Sequence, residues 1–301
     1  MSAGYAHPAY AHALREFGTP RALPRSGGSL LERLVPGSDR RDAMGPYPLF
    51  ACRDWSALAA DLDEVCRDLV SVALVPDPFG AHDPALLRQA FEVVRPFKEH
   101  FVYDLGVAAS GTLTKHHRYY VKQAAAAEVT VEPCSDPSAF LDEWVALYGT
   151  LVQRHGLRGI KAFSRESFRD QLAVPGITLL RAVRAGRTAG AHLWYVSGSV
   201  AYSHLMALSA DGYAASASYA LYAGAIEYFA SRVAWLDLGA GAGVAAGSEG
   251  LTRFKRGFAT GTRPAFFCGR VIDREAYTRL AAQAGAGPDE PYFPAYRRAE
   301  F

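Results

Sequence analysis

The chain has 301 residues, 50% of them hydrophobic and 21% charged, with a formal net charge of +2. It is long enough to bury one large core or two smaller ones, and too nearly neutral for a protein built to track a nucleic-acid backbone. Its four cysteines, Cys52, Cys66, Cys134 and Cys268, stand far apart, with no paired spacing and no histidine at metal-ligand spacing, so neither a disulfide framework nor a metal site is expected.

The first residues lack an unbroken apolar run, and no later segment is long and uncharged enough to span a bilayer, which points to a cytoplasmic protein without a leader. Residues 1–48 are rich in Gly, Pro, Arg and Ala, and prolines at 20, 24, 36 and 46 break any periodicity. They read as an extended or partly disordered arm, mostly loop, with a short helix over 9–17; lying as a strand and lid over the next domain is the alternative. From Asp54, placed as a cap, Trp55, Leu58, Leu62, Val65, Cys66 and Leu69 recur at helical spacing. A strand at 70–75 stops at Pro76-Asp77-Pro78, a helix at 84–94 starts behind Asp83, and a strand at 97–105 completes an αβαβ unit over 49–113.

A second unit covers 114–285. It opens with a basic helix at 114–126, a strand at 129–132, and a helix at 137–155 that sets Phe140, Leu141, Trp144, Leu147, Tyr148 and Leu151 on one face. A shorter helix at 164–172 begins at a serine cap. Strands at 177–183, 188–196 and 200–208 are joined by hairpin-sized linkers and should be antiparallel neighbours. The chain then gives a helix at 216–230, a buried strand at 233–238, a strand at 265–268, a helix at 274–282 and a tail over 286–301. The stretch 237–264 is the most distinctive: an apolar strand opens into glycines, then into Leu251-Thr252-Arg253-Phe254-Lys255-Arg256-Gly257-Phe258. Three cations around an aromatic, beside exposed backbone, suit an anionic or carbonyl-bearing group; a solvated basic turn with Phe254 and Phe258 in the core is the plainer reading.

The order of elements in the second unit is that of the GNAT acyltransferase fold. The sharper marks are His117-Arg118-Tyr119-Tyr120-Val121-Lys122-Gln123-Ala124 on the first helix, Tyr202-Ser203-His204-Leu205 on the last meander strand, Gly212-Tyr213, Asp237-Leu238-Gly239, and above all Phe254-Lys255 with Gly257-Phe258. With these, residues 115–280 resemble the FemAB-like, or BioF2-like, branch of the GNAT superfamily. The resemblance implies an α/β protein of two tandem GNAT-like halves, the N-terminal one diverged, that moves an acyl or aminoacyl group to an amine in a GNAT-type cleft. It implies acyl-CoA or aminoacyl-tRNA as co-substrate and no permanently bound cofactor. The acceptor it implies is a small-molecule or cell-envelope-precursor amine, with tRNA, and not DNA, as the candidate nucleic-acid partner. In FemAB-type enzymes a Phe-Lys pair after the fifth strand lies at the reacting centre, and the lysine stabilises negative charge on the carbonyl. Phe254 and Lys255 match that pair, which makes Lys255 the expected catalytic residue and Arg253 and Arg256 expected contacts to donor phosphates.

The chain also departs from its relatives. GNAT enzymes that use acetyl-CoA hold the pyrophosphate on a Q/R-x-x-G-x-G/A loop, whereas residues 209–218 here carry one glycine and an acid. Ser216 and Ser218 at a helix start can still bind an anion, yet the loss tilts the donor toward aminoacyl-tRNA. His204 is a candidate general base or a core histidine, Tyr219 and Tyr222 are candidate hydroxyl donors or packed aromatics, and Asp237 and Gly239 line the strand exit. His116 and His117 are adjacent in sequence and do not share a helix face, so they are not a metal pair. Two other readings stand. The string Trp235-Leu236-Asp237-Leu238-Gly239-Ala240-Gly241-Ala242-Gly243 mimics the S-adenosylmethionine turn of methyltransferases, though that turn belongs on the first strand of a long βαβ succession. The third reading is a GNAT-fold binding protein without chemistry.

Overall fold

The computed structural model describes residues 2–106, 113–241, 249–287, 290–298 and 300. In chain order the elements are α1 (Pro8–Ala13), β1 (Thr19–Leu23), β2 (Gly28–Leu34), β3 (Arg41–Met44), α2 (Leu58–Val65), β4 (Ser71–Leu74), α3 (Pro84–Ala90) and β5 (Val93–Asp104). They continue with α4 (Lys115–Ala126), β6 (Thr130–Pro133), α5 (Leu141–His155), α6 (Arg165–Gln171), β7 (Ile177–Arg184), β8 (Arg187–Ser197) and β9 (Val200–Leu208). Last come α7 (Ala210–Ala214), α8 (Ala217–Phe229), β10 (Trp235–Gly239), α9 (Glu249–Phe258), β11 (Gly261–Val271) and α10 (Arg274–Gln283). The chain divides into two compact units, one spanning Lys98–Pro264 and the other made of Gly4–Phe97 with Ala265–Phe301.

In the unit that holds both termini the strands run in the order β1-β2-β3-β4-β11. β3 lies parallel to β4, and the other neighbours are antiparallel. Leu30, Phe50, Trp55, Leu58, Leu62 and Leu87 close its core, each large apolar side chain contributing roughly 1.5 to 3 kcal/mol by leaving water. Residues 19–44, expected mostly as loop, thus form three strands, and the expected helix over 9–17 shortens to α1. Prolines misled the eye. Pro20 sits on β1 at the sheet's edge, where proline is tolerated, and Leu30 and Leu31 of β2 are fully buried. Asp54 also corrects an expectation. Its carboxylate accepts from Ser56 N at 2.9 Å in a local turn, and α2 starts later, at Leu58, without a side-chain cap. Asp83, by contrast, caps α3 through Leu86 N at 2.8 Å. The far end of this unit is tied down by a buried pair: Arg297 Nε donates to Asp42 at 2.6 Å and Nη2 to the same carboxylate at 2.9 Å.

In the Lys98–Pro264 unit the order is β5-β10-β9-β8-β7-β6. The meander β7-β8-β9 is antiparallel as its linkers require. Helix α8, ASYALYAGAIEYF, has small or apolar residues on most sides and packs on β6 to β9 and on α4, while α5 packs on β8 and β9. Trp194, Leu221, Phe229, Leu236, Leu238 and Phe258 centre the core. Strand β10 is parallel to β9 and antiparallel to β5. A strand so placed does not open a wholly parallel, doubly wound sheet, and the methyltransferase reading falls with that. The parallel ladder is only three residues long, Trp235–Val200 to Asp237–Tyr202, although β9 runs on to Leu208.

Candidate active site

The end of that short ladder gathers several ionisable side chains. Asp237 is the last residue of β10 paired with β9 and is 2% exposed. Its Oδ1 accepts from Gly239 N at 2.7 Å, closing a turn that Gly239 completes at φ +76°. The other side of the carboxylate meets His100 of β5, whose Nδ1 lies 2.8 Å from Oδ2 and 3.0 Å from Oδ1. Lys255 reaches the same turn from α9: its Nζ donates to Ala240 O at 2.7 Å and would lie 3.0 Å from a Cβ on Gly239. Burial pulls the ammonium down to about 8 from its usual 10.5; Asp237 works against that fall and Lys98 of β5 adds to it. A lysine so poised stays largely cationic at neutral pH and has shed part of its water, which strengthens its field at a nearby oxygen. The glycine-rich run beyond Gly241 falls at 242–248, outside the described residues.

Beside Lys255 lies an aromatic box. The Phe254 ring meets Tyr219 at 4.9 Å and Tyr222 at 5.0 Å, both edge-on. His117, at the start of α4 behind its Thr114 cap, spans the box: Nε2 lies 2.8 Å from Phe254 O and Nδ1 2.7 Å from Thr114 Oγ1. The carbonyl only accepts, so Nε2 carries the hydrogen and Nδ1 accepts from the threonine hydroxyl. The imidazole lies flat under Gly257, where any Cβ would collide with it. This ties the Phe254-Lys255-Gly257-Phe258 run to the HRYYVKQA run through one side chain. Below the box, Tyr222 OH, Ser203 Oγ and His192 Nε2 form a chain with steps of 3.4 and 2.8 Å. The fully buried His192 Nδ1 has no partner among the described residues.

Comparison with known proteins places the unit. Residues 111–256 match the family described as acetyltransferase (GNAT) domain. This stretch is a GNAT domain. A search of curated proteins found no match. Among solved structures the chain is similar to FemX, with 14% identity over 90% of this chain and 92% of that one and a TM-score of 0.67. It is similar to the C-terminal domain (DUF2156) of a protein assigned as lysylphosphatidylglycerol synthetase from Agrobacterium fabrum, with 15% identity, coverage of 94% and 92%, and a TM-score of 0.64. L-PGS from Bacillus licheniformis comes next at 13% identity, coverage of 89% and 93%, and a TM-score of 0.61. Likeness at such identities is one of fold, and that fold is the FemAB-like form of the GNAT architecture expected from the sequence.

Within the GNAT domain the residues singled out by sequence are only partly assembled. Lys255, Asp237 and Gly239 share one turn, and Phe254 and Tyr219 share the aromatic box. Tyr219 stacks on Tyr120 at 4.8 Å, and its hydroxyl lies 3.3 Å from His116 Nε2. Arg253 and Arg256 are exposed on α9, with Arg256 placed 5.8 Å over the Phe101 ring. His204 lies apart from that turn and box. Its Nε2 lies 2.9 Å from Gln171 Oε1 of α6, and burial pushes it down to about 3. The GNAT loop offers no ready pyrophosphate cradle. Ser209 Oγ takes the Gly212 N–H at 3.1 Å, Gly212 is buried against Ala189, and Asp211 pairs with Arg184 at 2.6 Å. Ser216, at the N-cap of α8 with φ 58°, and Ser218 leave that helix start with no side-chain cap bond. His100, His117, Ser203 and His192 were not assigned roles from sequence, whereas Tyr222 was a candidate hydroxyl donor beside Tyr219. Of these, His117 carried a signal as part of the HRYYVKQA run and Ser203 as part of Tyr202-Ser203-His204-Leu205, while His100 and His192 carried none.

Proposed function

We propose that the GNAT domain moves an acyl or aminoacyl group from a donor to an amine, with Lys255 as the cation that meets the carbonyl oxygen. One observation carries the reading: a part-buried ammonium held down to about 8, fixed on Ala240 O where β10 parts from β9. As the amine adds to the carbonyl, charge grows on oxygen, and a desolvated cation aimed there lowers the barrier by roughly 3 to 4 kcal/mol. Phe254, Tyr219 and Tyr222 supply an apolar wall that keeps water from competing with the amine. Arg253 and Arg256, exposed on the same helix, suit donor phosphates, with Ser216 and Ser218 at the α8 start as a second anion contact.

Two donors fit the chemistry, acyl-CoA and aminoacyl-tRNA. GNAT domains in general use acyl-CoA, whereas the loop at 209–218 bonds its own glycine amide and favours the tRNA-borne donor. The acceptor class is a small-molecule or cell-envelope-precursor amine. Incubating the protein with an acyl-CoA pool and with charged tRNA, then reading product masses, tests this directly. A mass gain matching an acyl or aminoacyl residue, on amines, supports the reading; donor left intact in both mixtures rejects it.

A further inference from the structure

Transfer to an amine needs a group that removes a proton, and the turn that fixes Lys255 holds one. We propose that His100, on the β5 strand that pairs with β10 of the GNAT domain, is the general base, with Asp237 as the residue that orients it. The proposal rests on the acyl-transfer reading above. A carboxylate only accepts hydrogen bonds, so the Nδ1 that faces both Asp237 oxygens carries the ring hydrogen. The lone pair is then left on Nε2, which makes no hydrogen bond among the described residues. The Gly239 N–H holds the carboxylate from its other side, so the ring is fixed by a fixed anion. The His100 side chain is still 10% exposed, against 2% for Asp237, which leaves the dyad an open edge on the ring.

The setting fits the task. Asp237 sits where β10 leaves β9, and Lys255 is anchored three residues further on, at Ala240. Asp237 acts electrostatically on Lys255 of α9 and on Tyr222 of α8, and Lys98 of β5 acts on Lys255. The alternative base, His204, points its Nε2 at Gln171, whose amide is itself held by donating to Ser167 Oγ at 2.9 Å. In the step, the amine nitrogen forms the new N–C bond, and the electron pair of the breaking C–S or C–O bond leaves with the donor's sulfur or ribose oxygen. The proton lost from nitrogen goes to His100 Nε2 and then to solvent, from which the leaving atom is protonated.

The test uses the full chain with acetyl-CoA and with aminoacyl-tRNA, and ethanolamine as the acceptor probe, an amine that must shed a proton before it attacks. His100→Ala should lower kcat/KM by about two orders of magnitude or more, and added imidazole should restore a substantial part of it. A His100→Ala protein within a few-fold of wild type, or one that imidazole does not rescue, overturns the base while leaving acyl transfer standing. Wild-type protein that transfers from neither donor overturns both. Independently of any variant's folding, nitrogen NMR of the neutral wild-type ring should place its hydrogen on Nδ1; a neutral ring with its hydrogen on Nε2 overturns the assignment.

Discussion

At the scale of single residues, Lys255 is a cation held against the cost of burial. A cation that folding pulls from 10.5 to about 8 binds its proton more weakly in the folded chain than in the unfolded one. The unfolded state therefore holds more protons between those two values, and stability rises with pH across that window. Below about pH 8 the whole penalty of the part-buried ammonium is present. Lys255→Met removes the charge and keeps the length, so at pH 7 the variant should be more stable than wild type, on the order of 2 kcal/mol, with the gap closing toward pH 10.5. Denaturant titrations of both proteins at pH 7 and pH 10 check this; equal stabilities at pH 7 would mean the ammonium is fully hydrated. The two members of the Asp237–His100 pair are a different kind of residue. They lie 137 positions apart and meet only because β5 and β10 are antiparallel neighbours, so no local pattern announces them. Phe254-Lys255 was legible because the motif is contiguous. His100 was not, because its partner is set by strand order alone.

Elements were read most securely where a period and a cap agreed. Thr114, Ser164, Asp83 and Asp273 each accept from a backbone N–H in the first turn of the helix they precede, and the meander was set by linker length. Reading failed where a short strand carried proline or where one element handed over to another. Residues 91–94 continue an apolar pattern from α3, yet Phe91 is already extended and β5 begins at Val93. The C-terminal turn was unreadable for a further reason: it is held by charge rather than by periodicity. Arg297 and Asp42 bury each other, with Tyr296 bridging from Ser71 at 2.7 Å to Asp42 at 3.2 Å. Arg297→Met leaves that carboxylate buried with Arg33 only 3.4 Å away as a partial substitute, and should cost roughly 3 kcal/mol. Urea unfolding measures it, and pairing the change with Asp42→Asn should recover part of the loss; a loss under about half a kilocalorie per mole would place the pair in water.

For the whole molecule, the residues before position 49 are not an appendage. They give β1, β2 and β3 to the unit that holds both termini, and Leu23, Leu30 and Ala43 to its core. Removing 1–48 should leave β4 without its parallel neighbour and abolish the folding of that unit, seen as lost near-ultraviolet dichroism and aggregation. A truncated chain that still unfolds cooperatively at the wild-type temperature would show the arm to be dispensable. The fold of the GNAT domain was legible because the order of elements from α4 to β11 is itself a signature. The proposed chemistry turns on one side chain, Lys255. Once a donor is turned over, the steady-state kinetics of Lys255→Met give the most direct test. The oxyanion role predicts a fall in kcat of about two to three orders of magnitude with donor affinity nearly unchanged. A kcat within a few-fold of wild type, or a loss confined to donor affinity, would contradict it.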